Sequence, residues 1–209
     1  MMGVIDLEVL VINYTHWVGY HIVEALLSEG YKVYGLVEET GNENLADFFV
    51  RNSSFYSIEK PREEKYELII SIGSENQQIL SRANRIYFIN QETANDDKNY
   101  LIQAPYLFGE WMPMDEQGFY YQEERIDFSS ELFQSEGIYI DDFINLLINW
   151  LNNPPNLREI RLERKKNMGN QAVKLDKSFF VHENVPIGEK IRAVVTHYNK
   201  FHSLYPKLK

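Results

Sequence analysis

The chain has 209 residues, enough for one domain with a real core, and its 44% hydrophobic and 25% charged residues exclude a disordered or fibrous protein. A formal net charge of −10, with no long basic run beyond RLERKK at 161–166, sets most of the surface against nucleic acid and anionic membranes. Cysteine is absent, which excludes disulfides and thiolate chemistry; no apolar stretch spans a bilayer and MMGVIDLEVLV lacks a secretory pattern, so a soluble cytoplasmic protein is expected.

LEVLVINYTHWVGYHIVEALLSEG (7–30) is an apolar strand, a short turn and an amphipathic helix, the layout of a dinucleotide-binding βα unit. Gly30 stops the helix, and YKVYGLV (31–37) forms the next strand. NLADFFVRN (44–52) has helical spacing, and SFYSI (54–58) reads as a short strand. YELIISI (66–72) is the continuous apolar run of a buried parallel strand. SENQQILSRAN (74–84) reads as a short helix with Ser74 as N-cap and Gln77 at the capping-box position, followed by the strand RIYFIN (85–90).

QETANDDKN (91–99) is a polar loop before the extended YLIQAPYLFGEW (100–111). Residues 112–136 are aromatic and acidic without a sustained period and read as irregular. GIYI (137–140) is a strand leading into a helix capped by Asp141 or Asp142, with Phe143, Leu146, Leu147 and Trp150 on one face and Pro154-Pro155 at its end. LREIRLER (157–164) alternates as an edge strand with Leu157, Ile160 and Leu162 inward. A last helix, 188–205, carries Ile191, Val194, Val195, Tyr198 and Phe201 in a stripe. The alternation of elements predicts an α/β, Rossmann-like, doubly wound and mainly parallel sheet with helices on both faces.

Three stretches carry a resemblance: VINYTHWVGYHIVEALLSEGYKVYGLV (11–37), APYLFGEWMP (104–113) and GIYIDDFINLLINWL (137–151). In this order they resemble the extended short-chain dehydrogenase/reductases, which include NAD-dependent epimerases and dehydratases of nucleotide sugars. The resemblance implies one NAD(P)-binding-type domain over 1–209, with 112–136 and 157–186 as a small substrate-side excursion and an irregular C-terminal part. It covers most of the chain.

The family's first turn carries three glycines with separate tasks: a tight turn, close approach of pyrophosphate, and packing of helix on strand. Those positions hold Asn13, His16 and Gly19. Asn tolerates positive φ and Gly19 retains the packing role, so the turn is expected to form. His16 puts a ring where the diphosphate would meet the main chain, although an imidazolium could pair with phosphate; the helix N-terminus is a generic anion site. Glu38, after the second strand, stands where an acid could take the ribose hydroxyls of NAD. Trp17 reads as core. These four, Asn13, His16, Gly19 and Glu38, are the vestigial cofactor-binding set.

Family chemistry uses a Tyr activated by a Lys four residues on, placed on a helix after the fifth strand and aided by Ser or Thr. QETANDDKN is too short for that helix and holds no Tyr, and YFINQE offers no Ser or Thr near Asn90. Tyr56/Lys60 and Tyr205/Lys209 match the spacing outside its context. No catalytic or metal-binding residue is assigned; His182, His197 and His202 read as core or surface histidines. Tyr106, Trp111, Phe119, Tyr120 and Tyr121 read as an apolar lid, a ligand pocket or a partner surface.

The expectation is a family member that acts by binding, as a regulator or scaffold, with an impaired dinucleotide site and no cofactor. Its partners would be a second copy, another protein or a small nucleotide, and neither nucleic acid nor membrane. The alternative is an NAD- or NADP-dependent enzyme acting on a nucleotide sugar, with Tyr106 or His16 moving the proton.

Overall fold

A computed structural model describes residues 7–39, 41–73, 76–91, 99–121, 124–164, 178–181 and 185–206. Contacts divide the chain into two units, Met1–Gln103 with Pro155–Glu159 and Ala104–Pro154 with Ile160–Lys209.

The first unit is a Rossmann-like α/β arrangement. Its elements are β1 (Glu8–Ile12), α1 (Trp17–Ser28), β2 (Lys32–Leu36), a 3-10 helix (Glu43–Phe48), β3 (Phe55–Ile58), β4 (Leu68–Ile72), α2 (Gln77–Leu80), β5 (Ile86–Ile89) and β6 (Asn99–Gln103). The strands lie in the order β6-β5-β4-β1-β2-β3, every pairing parallel. Such a sheet is covered on both faces, and its strands are apolar in consecutive positions; all five residues of β4 are buried.

One face of the sheet presents Leu10, Ile12, Leu36, Ile69, Ile86, Phe88 and Leu101 to Tyr66 and to Ile79 and Leu80 of α2. Side chains alternate along a strand, so Val9, Val11 and Val33 point to the other face. There α1 packs against β1 and β2 with Val18, Ile22, Val23 and Leu26 buried. Gly30, at φ 86, ends α1 as the sequence predicts, and the Tyr31 N–H closes on the Leu26 carbonyl at 2.9 Å. Residues 43–48 wind as a 3-10 helix rather than α, started by Asn42, whose side chain accepts from the Asn44 N–H.

Arg158 rejoins this unit: its carbonyl accepts from the Leu101 N–H at 2.7 Å, and its guanidinium lies 4.2 Å from the Tyr100 ring centre. Tyr100 in turn stacks on Tyr87 at 4.6 Å. Burial pushes the Tyr87 hydroxyl up to about 12.

In the second unit, β7 (Leu107–Phe108) pairs in parallel with β10 (Ile138–Tyr139), and β11 (Glu159–Arg164) pairs in parallel with β12 (Ser178–Val181). The region read as irregular is ordered: β8 (Gly118–Tyr121) and β9 (Glu124–Asp127) form an antiparallel hairpin, and α3 (Glu131–Glu136) follows. Its signal is masked because the three elements are four to six residues long, too short for a period to show. The strand β12 was likewise missed, and Leu157 precedes β11, half-buried, instead of facing inward from it.

Two helices also differ in detail. α4 (Ile140–Asn152) begins behind Tyr139, with no side-chain cap and both Asp141 and Asp142 in its first turn. Asp142 is drawn away from capping by an ion pair with Lys190, which is buried and lies 5.1 Å from the Tyr139 ring centre. The buried face of α4 includes Ile140, Ile144 and Leu151 beside Phe143, Leu147 and Trp150, while Leu146 is half-buried. α5 (Ile187–Phe201) buries Ile187, Lys190 and Val194; Ile191, Val195, Tyr198 and Phe201 are half-buried on its flanks.

At the amino end of β1, Glu8 accepts from Lys32 Nζ at 2.9 Å and Tyr34 Oη at 3.1 Å, and pairs with Arg62. The Arg62 guanidinium beside Glu8, with Lys32, holds this carboxyl down to about 2. A depressed carboxylate contributes stability that is present above its unfolded value, near 4.5, and lost as pH falls through about 2. Thermal unfolding of Glu8→Gln is therefore expected to lose the part of the acid destabilisation between pH 4.5 and 2 that the unmodified chain shows; identical acid profiles would refute the assignment.

Candidate functional site

The site is built on the turn between β1 and α1. Asn13 adopts φ 62, the left-handed region that Asn tolerates better than most residues. Its N–H donates to the Leu36 carbonyl at 2.7 Å, and its carbonyl accepts from the His16 N–H at 2.9 Å. The side chain is buried and fully engaged: Oδ1 accepts from the Glu38 and Glu39 N–H groups at 2.9 and 3.0 Å, and Nδ2 donates to the Ile72 carbonyl at 2.7 Å. One amide thus ties the carboxyl ends of β1, β2 and β4 together.

Gly19 sits where α1 crosses the turn. A Cβ there would lie 2.5 Å from the Asn13 carbonyl oxygen and 2.9 Å from Tyr14 Cα, so only glycine permits this approach. The packing task read from the sequence is carried by the geometry.

His16 is the N-cap of α1. Its Nδ1 accepts the Val18 N–H at 3.3 Å, in the manner of a capping oxygen. Desolvation holds the ring down to about 4, so it is neutral at physiological pH. The ring is thus held neutral here rather than as the imidazolium considered above, and its lone pair occupies the Val18 amide. The first turn of α1 contains no acidic residue, so this ring is its side-chain cap. Trp17 is half-buried and edge-on to His21 at 6.4 Å, not core. Glu38 is exposed, and its Oε1 accepts from Asn76 Nδ2 at 2.8 Å.

Two residues escaped the sequence reading. Thr15 is 4% exposed and its Oγ1 is buried without a hydrogen-bond partner, while Gly41 lies directly over it. Neither residue type in isolation signals the contact, because it depends on how the chain after β2 folds back.

Amides dominate the carboxyl ends of β4, β5 and β6. Ser71, fully buried, accepts from Gln91 Nε2 at 3.4 Å, and Gln103 Nε2 donates to the Gln91 carbonyl. Asn90 turns the chain at φ 53, its N–H on the Ile102 carbonyl at 2.9 Å. Most of the polar loop read at 91–99 lies outside the described residues, as do Ser74, His182 and Lys209. Tyr56 stacks on Tyr34 at 5.3 Å with Lys32 5.1 Å from its ring centre. Tyr205 bonds His197 Nδ1 at 2.7 Å and is pushed up by burial. Among the described residues no group of three or more His, Asp or Glu could hold a metal ion.

The aromatic segment of the second unit forms packed clusters. Trp111, buried at φ 68, meets His197 at 4.5 Å and Tyr205 at 5.2 Å. Phe119 packs between Phe128 and Phe133, whereas Tyr106 and Tyr121 are half-buried, 6.0 Å apart. Tyr139 donates to Glu110 at 2.9 Å, and burial beside this carboxylate pushes its hydroxyl far up.

No protein-family model matches the chain, and no curated protein matches it by sequence. Solved structures do. The dTDP-glucose 4,6-dehydratase of Bacillus anthracis, in complex with NAD, aligns over 95% of this chain and 98% of that one, with TM-score 0.61 and 9% identity. A yeast methylglyoxal/isovaleraldehyde reductase complexed with NADPH aligns over 95% and 100%, with TM-score 0.59 and 12% identity. The UDP-glucose 4-epimerase of Thermotoga maritima, with UDP-glucose, aligns over 93% and 99%, with TM-score 0.58 and 10% identity. The fold is that of the extended short-chain dehydrogenase/reductases. It accounts for the order of elements around Asn13 and Gly19, and no helix among the described residues is long and apolar enough to cross a membrane.

Two measurements check this geometry. Asn13→Gly keeps the backbone conformation but removes three side-chain hydrogen bonds, an expected loss of roughly 1–3 kcal/mol in urea unfolding. Asn13→Ala adds the left-handed penalty, about 1 kcal/mol more; a variant as stable as the parent would refute the staple. For His16, the folded value lies below the unfolded 6.5, so the unfolded chain binds the extra proton and stability declines as pH drops from 6.5 to about 4. His16→Asn, which keeps a capping acceptor, is expected to lose that decline in thermal unfolding; retention of it would assign the titration elsewhere.

Proposed function

We propose that this chain belongs to the extended short-chain dehydrogenase/reductase family and has left dinucleotide chemistry, acting instead by binding as a regulator or scaffold. The observation that carries the reading is the His16 cap: the amide at the head of α1 that a diphosphate would approach is taken by a neutral ring of the chain itself. The residues present do not fit a dinucleotide. Thr15 is covered by Gly41, the Glu38 carboxylate is bonded to Asn76, and β4 to β6 end in Ser71, Gln91 and Gln103 without a titratable acid/base pair among the described residues.

A second reading rests on the likeness to proteins solved with NAD and NADPH over 95% of this chain, and with UDP-glucose over 93%. It makes the protein an NAD(P)-dependent epimerase, dehydratase or reductase. Fold analogy is its whole support.

Titration of the purified chain with NADH and NADPH, followed by nicotinamide fluorescence, separates the two. The binding reading expects no saturable signal below roughly millimolar cofactor. Micromolar saturation would defeat it, and turnover of UDP-glucose in the presence of NAD would establish the enzyme.

A further inference from the structure

The chain that follows β2 lies directly on the first turn. A Cβ built on Gly41 would fall 2.5 Å from Thr15 Oγ1 and 2.6 Å from the Thr15 carbonyl carbon and oxygen, so this contact admits no side chain. The Asn42 N–H donates to the Thr15 carbonyl at 3.0 Å, and Asn42 Oδ1 accepts from the Asn44 N–H at 3.2 Å. Upstream, the Glu38 and Glu39 amides are held by Asn13. Glu38, Glu39 and Asn42 are thus each hydrogen-bonded to the first turn.

Beneath it, the Thr15 hydroxyl is more than nine-tenths buried and has no partner. A hydroxyl removed from water and left unpaired is a cost that settled contacts seldom carry, and moving the cover away relieves it. The same hydroxyl stands one residue before the N-cap of a twelve-residue helix, where the backbone dipoles attract anionic oxygens. The covering contact and the orphan hydroxyl are therefore two halves of one arrangement.

We propose that Gly41–Asn42 is an autoinhibitory strap: seated on Thr15 it closes the head of α1, and lifted it frees the Thr15 hydroxyl to donate to a phosphate-bearing ligand. The proposal rests on the reading that the resting chain does not take a dinucleotide, and it adds a closure independent of His16. The His16 ring blocks one amide from within the turn, whereas the strap shuts the turn from outside. Removing one leaves the other in place.

Calorimetric titration of the whole chain with ADP tests this. His16→Gly alone is expected to show no saturable binding, because the strap stays seated. His16→Gly with Gly41→Ala, whose added Cβ cannot be seated, is expected to bind at least roughly tenfold more tightly than His16→Gly. Thr15→Val in that background is expected to return it to the His16→Gly level. Equal affinities of the single and double variants, or no effect of Thr15→Val, would overturn the strap alone; binding of ADP by the unmodified chain would remove the parent reading and the strap with it.

Two measurements stand even if the double variant does not fold. The Asn42 amide of the unmodified chain is expected to be protected from hydrogen exchange; exchange at the rate of an open loop would overturn the seat. Thr15→Val, which removes the orphan hydroxyl at constant shape, is expected to raise Tm by about 2–4 °C. An unchanged or lower Tm would overturn the claim that the hydroxyl is unpaired.

Discussion

The fold is organised around a single buried carboxamide. A parallel sheet of this kind brings the carboxyl ends of β1, β2 and β4 to one edge, where each strand has run out of ladder partners and its terminal amides and carbonyls need others. Asn13 meets three of these needs with one side chain, accepting from Glu38 and Glu39 and donating to Ile72. A glycine in its place would allow the turn but leave those groups to water or to a ligand. With Asn13 in place this edge is closed by the chain's own amide.

The same internal closure recurs around that edge. The Val18 amide is satisfied by His16, the Thr15 carbonyl by Asn42, and the Glu38 carboxylate receives Asn76. Further along, Ser71, Gln91 and Gln103 link the ends of β4 and β6 through amides, which bond well but move no protons at neutral pH. In the second unit three buried or half-buried pairs do the same: Lys190 with Asp142, Tyr139 with Glu110, and Tyr205 with His197. Burial and the neighbouring Glu110 account for the raised Tyr139 hydroxyl, so its perturbed titration does not by itself mark an active site.

Much of the fold was legible because its signals are local. Continuous apolar runs such as LIISI, the glycine stop at Gly30 and the tolerance of Asn13 for positive φ each follow from residue type at one position. Gly19 was legible as well, since close packing of helix on strand demands it. What escaped depends on contacts distant in sequence. Asp142 reads as a helix cap until Lys190, far along the chain, is seen to claim it. Residues 112–136 read as irregular because β8, β9 and α3 within them are too short to establish a period. His16 was identified as an obstacle, but its neutrality and its capping bond follow from the direction its ring turns, which no spacing encodes.

That ring shows how the head of α1 is capped from within the chain. Helix N-termini favour Ser, Thr, Asp or Asn as caps, and an anionic ligand can take the same role when it binds there. A chain that loses its ligand must supply a replacement acceptor or leave the amide unsatisfied. A neutral imidazole provides one lone pair, but only while deprotonated, and desolvation in the turn keeps it so. The bulk that fills the turn and the lone pair that caps the helix reside in one side chain. Capping of α1 and occupation of its first free amide are thus coupled through a single residue.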